Sequence, residues 1–221
     1  MITIPTTILD NFFDNPDAVR NWALSLEYNP DSLGKWPGKR SKDLRTIHPV
    51  FSEMVCRKVL SLFFENITNL QFNINLAFQL IENYQGEGWI HQDPDIFTFI
   101  IYLHYPNPKI NCGTSLWSLN SNLVSPINNV AEAENLAEKN YLHHKNKKSN
   151  KEYHNSFTNN FTNEISIPDK YNRFIAFSSE LFHSANNLSP ISSPRLTLIG
   201  FVSNLNTSNL PIIRFKQTPI M

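Results

Sequence analysis

Two cysteines are all the sulfur cross-linking potential this 221-residue chain carries, and neither sign of charge is in excess. Cys56 falls in a helix-patterned segment and Cys112 in a loop. The pair therefore reads as two free thiols of a reducing cytoplasm and excludes a disulfide scaffold. The 19 basic side chains are balanced by 19 acidic ones. That balance argues against non-specific nucleic-acid binding as the main task, since such binding draws on a broad positive field. No apolar run reaches the roughly 18 residues that cross a bilayer, so no membrane partner is expected. Met1-Ile-Thr-Ile-Pro also lacks the basic start and apolar centre of a secretion signal. No internal repeat and no linker interrupts the chain, which reads as one domain spanning 1–221. A hydrophobic content of 41%, with 12% aromatic residues, suffices for one well-buried core. Oligomeric state is left open.

The first 72 residues read as a helical buttress. A short strand over Ile2–Leu9 precedes Asn15-Pro16-Asp17, where Asn15 suits a helix cap, Pro16 the first helical position and Asp17 the positive helix end. Ala18, Val19, Trp22, Ala23 and Leu26 then recur at helical spacing. Residues 29–42 read as a loop containing Trp36-Pro-Gly-Lys-Arg40; it is either an ordinary surface turn or a lid lending Trp36 or Arg40 to a substrate. Pro49–Phe64 is a second helix. From Asn73 the period falls to two, and 73–203 reads as the β core. Asn73–Ile81 alternates, Ile96–Leu103 is a β-branched and aromatic run suited to a central strand, and Cys112–Trp117 is a further short strand. Residues 118–163 are polar and read as an insertion. It holds an amphipathic piece over Val130–Leu142 and three histidines, His143, His144 and His154, of ordinary loop type. Strand character returns at Tyr171–Phe177 and Pro194–Val202, and 204–221 is an unassigned tail. Helices followed by many short strands indicate a mainly β jelly roll or barrel with a helical buttress.

Chemistry concentrates in three places. On an extended strand residues two apart share a face, so His91 and Asp93 place an imidazole beside a carboxylate. His183 follows ninety-two residues later, after an apolar run. Two imidazoles and one carboxylate with vacant positions are the facial set of non-haem Fe(II) oxygenases. The same set also suits catalytic zinc, a fourth ligand such as His104 would close it, and His91 alone is equally well a structural core histidine. Arg195 opens a strand twelve residues beyond His183, and Thr197 shares its face. A guanidinium fork beside a hydroxyl suits bidentate binding of a carboxylate, for which a hydrolytic zinc site has no use.

The order His91-x-Asp93, His183, Arg195-x-Thr197 resembles the 2-oxoglutarate- and Fe(II)-dependent oxygenases, closest to their prolyl-hydroxylase-like branch. The aromatic and glycine run Tyr84–Trp89, the strand Phe97–Leu103 and Gly113–Trp117 add to the likeness. Asp10–Asp17 and Trp36–Arg40 resemble small bacterial and phage members. The resemblance implies a double-stranded β-helix (jelly roll, cupin-like) and Fe(II) held by His91, Asp93 and His183. It also implies 2-oxoglutarate paired with Arg195, with Thr197 or Tyr84 hydrogen-bonding beside it, and dioxygen as the oxidant. The implied reaction hydroxylates a small molecule or a peptide or protein side chain, forming succinate and CO2. Trp36, Arg40, Tyr102 and Trp117 are the candidate substrate-facing residues. The insertion departs from the family pattern and bears on substrate access. The alternative is a non-catalytic, cupin-like metal-binding or structural protein that retains the barrel.

Overall fold

The computed structural model describes residues 4–30, 36–68, 70–82, 88–120, 158–188 and 194–206. Helix α1 spans Pro16–Leu24, and the Asn15 side chain accepts from the Ala18 amide at 3.1 Å, satisfying one of the donors a helix start leaves open. It stops short of Leu26 because the amides of Ser25 and Leu26 turn back to Trp22 and Ala23 in a closing turn. A single turn, α2 (Leu44–Ile47), capped by Asp43, precedes α3 (Pro49–Ser61). His48 caps α3 through its ring Nδ1. Phe63 and Phe64, expected inside this helix, leave it and enter the core.

Ten strands follow the chain: β1 (Thr7–Leu9), β2 (Tyr28–Pro30), β3 (Lys39–Ser41), β4 (Gln71–Ile81), β5 (Phe97–Tyr102), β6 (Thr114–Leu119), β7 (Phe161–Ile167), β8 (Phe174–Ser178), β9 (Phe182–Ala185) and β10 (Arg195–Asn206). Seven of them form one antiparallel sheet in the order β1-β8-β5-β10-β4-β3-β2, and three form a second in the order β7-β6-β9. The expected central strand is central: β5 lies between β8 and β10. The 29–42 segment is not all loop, since β2 and β3 pair there and add an edge to the large sheet. β7 occupies the end of the expected insertion, and β10 runs past the expected Val202 to Asn206. The expected helix over 130–142 and His143, His144 and His154 lie outside the described residues. Cys56 and Cys112 are both free and buried.

The large sheet has two faces of opposite character, and the period of two decides which residue goes where. Leu196, Leu198 and Val202 of β10, Ile74, Leu76 and Phe78 of β4, and Phe97, Phe99 and Ile101 of β5 join α3 residues Val55, Val59 and Leu60 in the main core. Trp22 packs edge-on against Phe51 and Phe78 at this core, with ring centroids 4.9 and 5.4 Å away. The alternate residues of the same strands face the small sheet across a cavity. The N-terminal Asn-Phe-Phe segment is clamped by Asn172, which accepts the Phe13 amide and donates to the Phe13 carbonyl, both at 2.8 Å. Among the described residues no helix is long and apolar enough to cross a membrane.

Candidate metal centre

His91 lies on a short extended segment rather than in a strand. His91 and His183 exchange backbone hydrogen bonds of 3.0 and 2.9 Å, and the Gly88 amide reaches Ala185 O at 2.9 Å, so 88–91 runs antiparallel to β9. Pro94, which has no N–H, ends this pairing, and the Asp93 amide turns instead to Ser179 O at 3.0 Å. The backbone thus differs from the expected strand, yet both side chains and His183 arrive at one point. One ligand atom from each lies within 4.8 Å of the others. His91 Nε2 is 3.6 Å from Asp93 Oδ1, and His183 Nε2 is 3.2 Å from Asp93 Oδ2.

The tautomers follow from the other ring nitrogens. His91 Nδ1 sits 2.9 Å from Trp89 O and His183 Nδ1 sits 2.8 Å from Leu181 O. A carbonyl only accepts, so each Nδ1 carries a hydrogen, and each Nε2 is the ring atom turned toward the Asp93 carboxylate. Desolvation, with His183 adjoining, pushes His91 down to about 4, so its imidazole is neutral at pH 7. Burial opposes the Asp93 carboxylate, but His183, His91 and the Thr98 hydroxyl together outweigh it and hold that carboxyl far below its ordinary range. Thr98 Oγ1 donates to Asp93 Oδ2 at 2.8 Å and is itself 2.8 Å from Ser179 Oγ. Two imidazoles that turn Nε2 inward and an ionised, oriented carboxylate are a donor group that could hold a metal ion.

These three residues line a cavity of about 600 Å³, inside the ~300–1,000 Å³ range of small-molecule sites. Strand periodicity builds its floor: Arg195, Thr197, Ile199, Phe201 and Ser203 of β10, Asn73, Asn75 and Gln79 of β4, and Thr98 and Ile100 of β5. Arg195 is 3% exposed, its Nε donates to Cys112 O at 3.2 Å, and among the described residues it makes no ion pair. Burial works against its charge. Thr197 is fully buried and its hydroxyl has no hydrogen-bond partner among the described residues. A buried cation outside any ion pair among the described residues, beside a hydroxyl unpartnered among them, is costly unless a ligand meets them, and a carboxylate answers both.

Trp36 and Arg40 line the same cavity, with the guanidinium 4.0 Å above the Trp36 ring and 5.3 Å from Phe201. Gly38 makes this loop possible: its φ is +74°, and a Cβ there would lie 2.4 Å from Leu80 O. Gln79 Nε2 ties the turn down by donating to Pro37 O at 2.9 Å. Two expected substrate residues lie elsewhere. Tyr102 shares a face with Thr98 and Ile100, but it is fully buried behind Arg195, with its hydroxyl 2.8 Å from Thr114 Oγ1. Trp117 points away from the ligand set into a separate polar cavity of about 440 Å³, its Nε1 donating to Ser184 Oγ at 3.0 Å. Tyr84 lies outside the described residues. His104 is engaged by Asp169 at 2.9 Å and does not join the ligand group. Thr98, Ser179 and Gln79 were not anticipated; extending the period of two from Arg195 and Thr197 onto the neighbouring strands points to the Thr98 and Gln79 faces.

The family model described as "Family of unknown function (DUF6445)" matches residues 3–193. The chain belongs to DUF6445. No functionally curated protein matches the sequence of this DUF6445 chain. Its fold is shared with solved structures. HygX from Streptomyces hygroscopicus, with nickel and 2-oxoglutarate bound, is 12% identical at a TM-score of 0.55, over 91% of this chain and 84% of that one. A prolyl hydroxylase from Trichoplax adhaerens, in complex with a hypoxia inducible factor peptide fragment, is 11% identical at 0.51, over 90% and 83%. The non-heme α-ketoglutarate-dependent epimerase SnoN, from nogalamycin biosynthesis, is 11% identical at 0.50, over 90% and 77%. At such identities the likeness is one of fold: the DUF6445 chain is a double-stranded β-helix with N-terminal helices.

Proposed function

We propose that this DUF6445 protein is an Fe(II)- and 2-oxoglutarate-dependent dioxygenase that hydroxylates a small molecule or a peptide or protein side chain. One observation carries the reading: a buried Arg195 with no ion pair and a Thr197 hydroxyl with no hydrogen-bond partner among the described residues share a cavity with two imidazole Nε2 atoms and the Asp93 carboxylate. His91, Asp93 and His183 would hold the iron. When bound, iron supplies activation of dioxygen coupled to decarboxylation of 2-oxoglutarate to succinate and CO2. The protein's own part is positioning. Arg195 offers its fork to the distal carboxylate and Thr197 donates its hydroxyl hydrogen beside it. Thr98 and Ser179 pin Asp93, and the carbonyls of Trp89 and Leu181 fix the two imidazoles. Ile100, Leu188 and Ile199 line the cavity and keep water from the reacting centre. The Trp36–Arg40 loop and Phe201 form the wall left for the substrate.

The test is anaerobic titration with Fe(II), then measurement of succinate formed from 2-oxoglutarate in air. Metal binding lost in His91→Ala and His183→Ala, and succinate formation lost in Arg195→Ala, are the expected results. A wild-type protein that neither binds iron nor forms succinate overturns the proposal.

A further inference from the structure

A buried hydrogen-bonded pair, His104 and Asp169, lies behind Arg195 and takes no part in the ligand group described above. His104 Nε2 is 2.9 Å from Asp169 Oδ2, and both side chains are 3% exposed. The other ring nitrogen, Nδ1, is 3.2 Å from the carbonyl of Leu196, the residue after Arg195. The other carboxylate oxygen, Oδ1, accepts the Cys112 amide at 2.8 Å, and the Cys112 carbonyl accepts Arg195 Nε at 3.2 Å. Two arms thus leave one carboxylate and close on one arginine. The first runs through His104 to the main chain of β10, and the second through the main chain of Cys112 to the guanidinium itself.

The approach of these segments is built in. A Cβ on Gly113 would lie 1.9 Å from Ile167 O and 2.7 Å from the Asp169 amide nitrogen. Only glycine lets the β6 start come close enough for Asp169 to reach the Cys112 amide. Burial would raise the Asp169 carboxyl, yet the bonds from His104 and the Cys112 amide outweigh it and hold it below its ordinary value. The placement has a consequence for charge. A carboxylate set directly on Arg195 would neutralise it and compete with an anionic ligand. Set one step away and bonded to His104, it orients the guanidinium while leaving the terminal N–H groups outside any ion pair among the described residues. Anchoring Nε fixes the plane of the fork, and a fixed fork loses less entropy on meeting a carboxylate.

We infer that Asp169 and His104 are positioning residues for Arg195: through Cys112 and Leu196 they hold its guanidinium in the plane from which it binds the carboxylate of 2-oxoglutarate. The inference rests on the reading of Arg195 as the co-substrate clamp. Asp169→Asn keeps an acceptor for the Cys112 amide, His104→Phe keeps the volume, and Arg195→Lys keeps the charge but loses the fork. Calorimetric titration of the Mn(II)-loaded proteins with 2-oxoglutarate is expected to show about five- to tenfold weaker binding for Asp169→Asn and for His104→Phe, the worth of about one hydrogen bond. In the Arg195→Lys background either change is expected to add less than about twofold, because its effect passes through the lost fork. In metal-free, 15N-labelled protein the Arg195 Nε–H is expected to exchange faster with solvent in both variants. Binding within about twofold of wild type in both single variants, losses that add in full to that of Arg195→Lys, or unchanged Nε–H exchange overturns the positioning role. Wild-type protein that binds Mn(II) but not 2-oxoglutarate overturns the clamp reading instead; the exchange measurement on metal-free protein then still judges the anchoring of Arg195.

Discussion

Thr197 occupies a position where valine would fill the same space without the hydroxyl. That hydroxyl is fully buried and has no hydrogen-bond partner among the described residues, so Thr197→Val removes a desolvated polar group and, in urea unfolding without added 2-oxoglutarate, is expected to stabilise the protein by up to about 1 kcal/mol. The same substitution is expected to weaken 2-oxoglutarate binding by about 0.5–1.5 kcal/mol, since the hydrogen bond then has no donor. Opposite signs on stability and affinity distinguish a ligand-facing hydroxyl from a packing one, and a destabilised Thr197→Val would place it in the packing class. At this scale the sequence carried Arg195-x-Thr197 and His91-x-Asp93 with His183, because spacing along a strand reports which way a side chain faces. It did not carry depth. Tyr102 lies on the cavity-facing side of β5 but beyond the arginine, and Trp117 lies on a strand whose ligand-facing neighbour is Thr114. The His104–Asp169 pair joins residues 65 apart in sequence and leaves no local pattern to read.

Among the elements, β4 was legible from its alternation and β10 from Arg195-x-Thr197, whereas β5 was legible as an unbroken β-branched and aromatic run, since Ile100 and Tyr102 lie on its second face. β2 and β3 are three-residue strands, β3 paired to β4 and β2 to β3, and β7 reads Phe-Thr-Asn-Glu-Ile-Ser-Ile with only its end residues buried. Neither shows a period, so tertiary pairing alone makes them strands. The start of the chain is attached by charge as well as by Asn172: Asp10 bonds Arg173 at 2.6 Å and Lys170 at 2.8 Å. Hydrogen bonds from Arg173 first and Lys170 second hold the Asp10 carboxyl down to about 2. A carboxyl whose value is depressed on folding stabilises the native state above its unfolded value of about 4 and loses that contribution as pH falls toward the folded value. Asp10→Asn is therefore expected to be less stable than wild type at pH 7 and to converge with it between about pH 4 and pH 2. The side chain is 32% exposed, so solvent screening limits the difference at pH 7 to about 1 kcal/mol or less. Thermal unfolding of both proteins from pH 7 to pH 2 reads this directly, and a gap that stays constant down to pH 2 would assign the pair no electrostatic role.

The whole molecule places the cavity of the His91, Asp93 and His183 group between two sheets, with the main apolar core and α3 packed on the far side of the larger one. The ligand set is assembled from segments that meet only in the native fold: His91 and Asp93 beside β9, His183 on β9, and Arg195 with Thr197 on β10. The unfolded chain has no such site, so under the proposed function metal and co-substrate are expected to bind the native state alone and to stabilise it by RT ln(1 + [L]/Kd), about 2.7 kcal/mol at a hundredfold excess over Kd. For a chain of this length that corresponds to a rise in Tm of roughly 5–10 °C. Mn(II) alone is expected to give one increment and 2-oxoglutarate added to Mn(II) a second, whereas 2-oxoglutarate without metal gives little, because one end of its site is then missing. The two increments separate genetically. His183→Ala is expected to lose both, since the metal is the platform for the second ligand, while Arg195→Lys keeps the Mn(II) increment and loses most of the second. If 2-oxoglutarate stabilises His183→Ala as much as wild type, the anion is bound without the metal centre, and the two halves of the cavity act as separate sites rather than as one.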